Sequence, residues 1–140
     1  YEDSLRLPLI VRAPGLIPDP GSNRRQMVLN IDMAPTLLNL AGLDVSSAMD
    51  GQSLVPVLKN PEAHGRESFL IEFWRYFPEN TPSYTGIRTD RFKYIDFARG
   101  RSPWLFDIRN DPGERYNLMG TPQGEKILPE LKARLAQLVP

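Results

Sequence analysis

The sequence predicts an α/β protein whose own residues arrange as α+β. A small four-stranded antiparallel sheet packs against a C-terminal helix, and a first half of one or two strands and two short helices precedes it. Three observations carry this. Short runs rich in aromatic and aliphatic residues recur from Ser68 to Ile108, two of them around a tight turn, as in a hairpin. Near the end Ile127, Leu131, Leu135 and Leu138 recur at spacings of four, four and three, with Lys and Arg between them, which is the stripe of an amphipathic helix. Proline makes up 14 of 140 residues, about twice the usual ~5%, which suits short elements and many turns and excludes a bundle of long helices.

Taken in order, residues 5–12 form an apolar run of the length and composition of a buried strand, ended by Ala13-Pro14-Gly15. Residues 17–23 are a loop dense in turn formers, and residues 27–30 suit a second short strand. Asp32 is a good helix N-cap, Pro35 is tolerated in a first turn, and Gly42 suits the position after the last turn. Met33, Leu37, Leu40 and Ala41 share one face, which predicts a short buried helix. Asp50-Gly51 marks a turn, Ser53 caps a helix running through Leu58, and Pro61 stops it. The polar stretch 60–66 is the predicted boundary, dividing the chain into residues 1–60 and 61–140.

In the second part, strands are predicted over residues 68–74, 85–88, 92–97 and 104–108. A long loop with two prolines spans 75–84, and Asn110-Asp111-Pro112-Gly113 is a strong turn. Pro129 sits inside the terminal helical pattern, so the regular helix is predicted to begin near it. The first part offers too few strands for a sheet of its own. A strand at residues 7–11 would leave its backbone groups unpaired, so a large sheet flanking it is expected outside these residues. Tyr1, leading almost directly into the apolar run, gives the same expectation of a chain that is a piece of a larger one.

Composition excludes several functions. Lys plus Arg is 17 and Asp plus Glu is 17, for a formal net charge of zero, which argues against a nucleic-acid or membrane-surface partner. There is no cysteine, hence no disulfide, thiol catalysis or cysteine-ligated metal within the chain. His64 is the single histidine, so a Ser-His-Asp triad or a histidine metal site would have to be built on it. No apolar run reaches the ~18 residues of a membrane span.

Candidate site residues follow from residue type and context. Glu72 is a carboxylate in an otherwise apolar strand, on either a solvated face or a cleft. Trp74, Arg75 and Tyr84 flank the long loop, where rings and a guanidinium either line a wall for a sugar ring or an anion or anchor the loop on the core. His64 lies in the polar linker, as an exposed histidine or a weaker substrate contact. Asp90, Asp96, Asp107, Asp111 and Glu114 are scattered, and their spacing selects no acid–base pair. No glycine-rich phosphate loop, metal-ligand spacing or nucleophile elbow occurs.

Several segments together resemble the type I sulfatase family. They are Tyr1-Glu2-Asp3-Ser4-Leu5-Arg6-Leu7-Pro8-Leu9-Ile10-Val11-Arg12-Ala13-Pro14-Gly15, Asn30-Ile31-Asp32-Met33-Ala34-Pro35-Thr36-Leu37-Leu38 and Asp50-Gly51-Gln52-Ser53-Leu54 in the first part. In the second they are Gly86-Ile87-Arg88-Thr89-Asp90-Arg91-Phe92-Lys93-Tyr94-Ile95, Leu105-Phe106-Asp107-Ile108-Arg109-Asn110-Asp111-Pro112-Gly113-Glu114 and Asn117-Leu118. Their order over nearly the whole chain resembles the C-terminal portion of such an enzyme. The resemblance implies an alkaline-phosphatase-like fold, with the large sheet mostly upstream and a small antiparallel sheet plus helix closing the C-terminus. It also implies hydrolysis of a sulfate ester or N-sulfate, with a formylglycine and a Ca²⁺ ion supplied by the full-length enzyme.

The chain departs from the family pattern in having neither C-x-P-x-R nor S-x-P-x-R. The family's metal ligands and catalytic Lys fall before the segment matched by Tyr1-Glu2, so no catalytic or metal residue carries over. The expectation is a pocket-lining fragment that is inactive alone, with Glu72, Trp74, Arg75 and Tyr84 as its substrate-bordering residues, His64 a weaker one, and the upstream part of the enzyme as its partner. A phosphonate monoester hydrolase or phosphodiesterase of the same superfamily is the alternative enzyme, and a non-catalytic binding domain the alternative class. The isolated piece is expected to associate through its bare apolar surface as a homo-oligomer.

Overall fold

The alternation of inward and outward residues in the second half is realised in a computed structural model, which describes residues 2–74 and 82–139. Four strands, β1 (Ser68–Phe73), β2 (Tyr84–Thr89), β3 (Phe92–Phe97) and β4 (Trp104–Asp107), pair antiparallel in the order β1-β2-β3-β4. The register sets Leu70 opposite Ile87, Ile87 opposite Tyr94, and Tyr94 opposite Leu105. Successive side chains point to opposite faces, so these four share one face. They form a core there with Leu131 and Leu135 of the terminal helix, α3 (Pro122–Leu138). The other face carries Ile71, Ile95 and Phe97, on which Leu5, Phe69, Tyr84 and Trp104 pack.

The start of α3 differs from expectation. It begins at Pro122, with Thr121 as N-cap accepting a hydrogen bond from the Gly124 amide at 3.1 Å. Pro129 lies inside it, on the exposed side, as does Glu125, whose carbonyl loses its helical partner there to water rather than to the core.

The chain divides into two compact units, Tyr1–Leu7 with Glu67–Pro140, and Pro8–Arg66. In the second of these, α1 (Met33–Leu40) and α2 (Val55–Lys59) are joined through a hub at Asp32. The Asp32 side chain is fully buried and accepts from the Leu29 amide at 2.8 Å, the Gln52 amide at 2.9 Å and Arg66 Nη2 at 2.6 Å. Thr36 Oγ1 donates to the Asp32 carbonyl at 2.6 Å and accepts from the Leu54 amide at 2.8 Å, which ties α1 to the start of α2. Gly51 is required here: a Cβ on it would stand 2.1 Å from the Ile31 carbonyl oxygen, and the next amide is the one Asp32 accepts from. Leu54, Val57 and Leu58 form the small core with Leu16, Ile17 and Val28.

Three expectations for the first half are corrected. Residues 6–12 form no strand, and Ile10 is 93% exposed. A strand persists only where a neighbour completes its ladder, and none among the described residues does so. Residues 27–30 contribute a single bridge, Met27 with Arg66, before a 3-10 turn at Asn30–Asp32. Helix α1 buries Pro35 and Thr36 rather than its leucine face, and Leu37 is 63% exposed. The physical reason is the Asp32 hub, which sets the rotation of α1. Asp32 precedes the helix as expected, yet its carboxylate is spent on that hub and makes no cap bond to the helix.

Candidate functional site: an aromatic and cationic cleft on the sheet

The sheet face opposite α3 carries a row of rings at one end. Phe73 and Tyr84, cross-strand partners, stack at 5.5 Å, and Tyr84 meets Phe97 edge-on at 5.5 Å. Phe97 meets Trp104 at 4.8 Å, and Trp104 meets Phe106 at 6.1 Å. Such a row follows from the period of two, which sends alternate residues of each strand to the same face.

Beside the rings opens a cleft of about 240 Å³ lined by Tyr84, Trp104, Phe97, Arg101, Lys93 and Glu114, among others. Arg101 lies over the Phe97 ring at 4.7 Å and over the Trp104 ring at 5.0 Å. The turn that delivers it has two successive residues with positive φ, Arg99 at 63° and Gly100 at 72°.

The floor of the cleft is ionic. Lys93 Nζ is buried and pairs with the buried Glu114 carboxylate, with Glu2 Oε2 at 3.4 Å. Glu114 also accepts the Glu2 amide at 2.6 Å, and Arg88 grips the Glu2 carboxylate with Nε at 3.0 Å and Nη2 at 2.7 Å. Burial pushes the Glu2 carboxyl up, but hydrogen bonds and charge from Arg88 and Lys93 outweigh it, so its pKa lies below the ordinary value. Tyr94, on the other face, is driven up to about 12 by burial and then by Asp96, so it stays a neutral phenol.

At the opposite end of β3, Asp107 accepts from Arg91 Nε at 3.0 Å and Nη2 at 2.7 Å, and from the Asn110 side chain at 2.9 Å. Arg91 holds this carboxyl below its ordinary 3.8, against burial. A depressed folded value stabilises the fold above the unfolded value and loses that contribution as pH falls through the folded one. The sheet therefore loses stability below about pH 4. Asp107→Asn should flatten the fall in melting temperature between about pH 5 and pH 2; an unchanged slope would assign the acid sensitivity elsewhere.

The sequence-predicted residues separate. Tyr84 lines the cleft. Glu72 pairs with Thr85 and, two residues from Leu70, belongs to the α3 face, so it and Tyr84 point away from each other. Trp74 stands 58% exposed just past β1. His64 is exposed in the Pro8–Arg66 unit. Arg75 lies outside the described residues. Arg101 and Trp104 were not singled out as site residues, and Glu114 was read only as one of several scattered carboxylates. The available signal was the aromatic pair Phe97 and Trp104 bracketing Ala98-Arg99-Gly100-Arg101.

A second cavity, of about 680 Å³, lies in the Pro8–Arg66 unit, lined by Leu9, Val11, Ile17, Val28 and Leu58. Its carboxylate, Asp19, is taken by Arg24 Nη1 at 2.9 Å, which leaves the cavity little chemistry. Among the described residues no group of three or more His, Asp or Glu could hold a metal ion. With no cysteine and no serine in the required motif, these residues do not fit a Ca²⁺ site or a formylglycine, and neither group is assigned to this chain.

A family model described as N-sulphoglucosamine sulphohydrolase, C-terminal, matches residues 1–140. The chain belongs to this sulfatase family. Over 142 aligned residues this sulfatase C-terminal segment is 36% identical to an N-acetylglucosamine-6-O-sulfatase of Bacteroides thetaiotaomicron, covering 98% of the segment and 25% of the relative. A delta 4,5-hexuronate-2-O-sulfatase of the same organism is 31% identical, with 96% and 28% covered. The segment thus spans about a quarter of the length of these relatives. A protein solved in complex with its substrate D-glucosamine-2-N,6-O-disulfate superposes with a TM-score of 0.85 at 35% identity, over 94% of the segment and 28% of that chain. A phosphonate monoester hydrolase from Silicibacter pomeroyi superposes with a TM-score of 0.74 at 28% identity, over 90% and 27%. The sheet and terminal helix are accordingly the C-terminal part of an alkaline-phosphatase-like sulfatase fold.

Proposed function

We propose that the chain is the pocket-bordering C-terminal part of an enzyme that hydrolyses sulfate esters or N-sulfates, with sulfated amino sugars as its substrate class. The observation that carries this is the match along the whole chain to sulfatases, together with the 0.85 superposition on a protein bound to a disulfated glucosamine. In the full-length enzyme a formylglycine and Ca²⁺ would supply the nucleophile and the Lewis acid. This chain would supply rings and cations beside them: Tyr84 as a wall, with Trp74 at the open end of β1. Glu72 and Arg75 are proposed with them as substrate-bordering residues, and His64 as a weaker one. A phosphonate monoester hydrolase is the second reading, favoured by the Silicibacter pomeroyi superposition.

Turnover of an aryl sulfate, a sulfated glucosamine and a phosphonate monoester by the full-length protein tests this, beside the 140-residue chain alone. The expected result is Ca²⁺-dependent sulfate release by the full-length protein and none by the 140 residues. Activity of the short chain would place a nucleophile within it and overturn the assignment. Faster turnover of the phosphonate would select the second reading.

A further inference from the structure

We propose that the cleft under Arg101 is a subsite for a second anionic group on the substrate sugar, with Arg101 as the residue that contacts it. The proposal rests on the sulfated-sugar reading above.

The geometry supports it in four ways. Arg101 has no carboxylate partner among the described residues. Of the charged residues lining the cleft, Lys93 is balanced by Glu114, so Arg101 leaves an excess of positive charge there. Its Cζ lies over both the Phe97 and the Trp104 ring, which hold the cation at the mouth of the cleft. A guanidinium carries its N–H donors in a planar fork that matches a sulfate or carboxylate. Finally, the side chain is delivered by a turn in which a non-glycine residue, Arg99, holds φ at 63°. Such a conformation persists where the surroundings enforce it, and it concentrates at ligand sites.

The size of the cleft defines the ligand further. At about 240 Å³ it falls short of the ~300 Å³ at which pockets for drug-sized ligands begin. A single sugar ring suits it. The Tyr84 and Trp104 rings offer an apolar surface for the C–H face of that ring. The cleft would therefore favour a sugar that carries a further anionic group for Arg101 to contact.

The test uses the full-length protein with Arg101→Ala and Arg101→Lys, and glucosamine carrying one sulfate or two. In Arg101→Ala, KM for the disulfated sugar should rise about tenfold or more, and by a clearly larger factor than KM for the monosulfated sugar. Arg101→Lys should fall between, keeping the charge and losing the fork. An equal change for both sugars, or no change for either, overturns the subsite. Should the wild type hydrolyse neither sugar, the sulfatase reading fails separately. Equilibrium binding of the two sugars, followed by tryptophan fluorescence, then decides the subsite alone. A wild-type preference for the disulfated sugar that Arg101→Ala abolishes upholds it, and no preference in the wild type overturns it.

Discussion

Lys93→Met in the full-length protein should destabilise the sheet by about 3–5 kcal/mol, the cost of removing one partner from a buried ion pair. Met keeps the volume and the apolar stem, so the loss is one of charge. What remains is Glu114, 2% exposed at its side chain, together with Glu2, and Arg88 reaches only the latter of these. The substitution Glu114→Gly separates two effects at the other end of the pair. Glu114 has φ of 53°, a conformation whose strain is about 1–3 kcal/mol for a non-glycine residue. Glycine relieves that strain but abandons Lys93, so the ion pair wins and the variant is still less stable than wild type. Melting temperature and hydrogen exchange of the β3 amides measure both. A stable Lys93→Met protein would show that water reaches the pair and screens it.

Asp32→Asn is the second large effect, and it is local to the other unit. Three donors converge on this carboxylate: two backbone amides and the Arg66 guanidinium. An amide side chain has one oxygen to offer them, and its own N–H₂ would face a donor. The expected loss is again about 3–5 kcal/mol, since the fully buried Asp32 position is left without a charge for the half-buried Arg66. The amides of Leu29 and Gln52 should exchange faster with solvent, while those of β3 keep wild-type protection. Equal acceleration in both units would mean they unfold as one and would contradict the local role.

The strands were legible because each carries its own period of two and its own bounding turn. Residues 92–97 were read at the bounds the structure shows for β3, and residues 85–88 lie within β2. The relation between strands was less legible. Glu72 and Tyr84 both flank the loop after β1, and whether they share a face depends on the register of β1 against β2. A tight turn fixes register through its geometry, but a loop as long as the one predicted over residues 75–84 fixes nothing. The terminal helix was misplaced because Pro129 was weighed as a breaker, when Thr121-Pro122 already had the form of an N-cap followed by a first-turn proline. Residues 6–12 and the leucines of α1 were correctly read as apolar, but composition does not say which neighbour covers them. Arg101 escaped notice since its place over two rings depends on the positive φ of Arg99, for which an arginine gives no sequence signal.

The Glu2 amide bonds to Glu114 across a sequence separation of 112 residues. A ribosome adding roughly 5–20 residues per second needs about 6–22 s to make the intervening chain. For that interval Glu2 lacks Glu114, while Pro8–Arg66, continuous in sequence, has already been made in full. The unit formed by Tyr1–Leu7 with Glu67–Pro140 therefore closes after the residues of Pro8–Arg66 have been made. Slowing translation between Arg66 and Glu114 should lengthen the time before the Glu2 amide gains its bond to Glu114, read by pulsed hydrogen exchange, and should leave the Pro8–Arg66 unit unaffected.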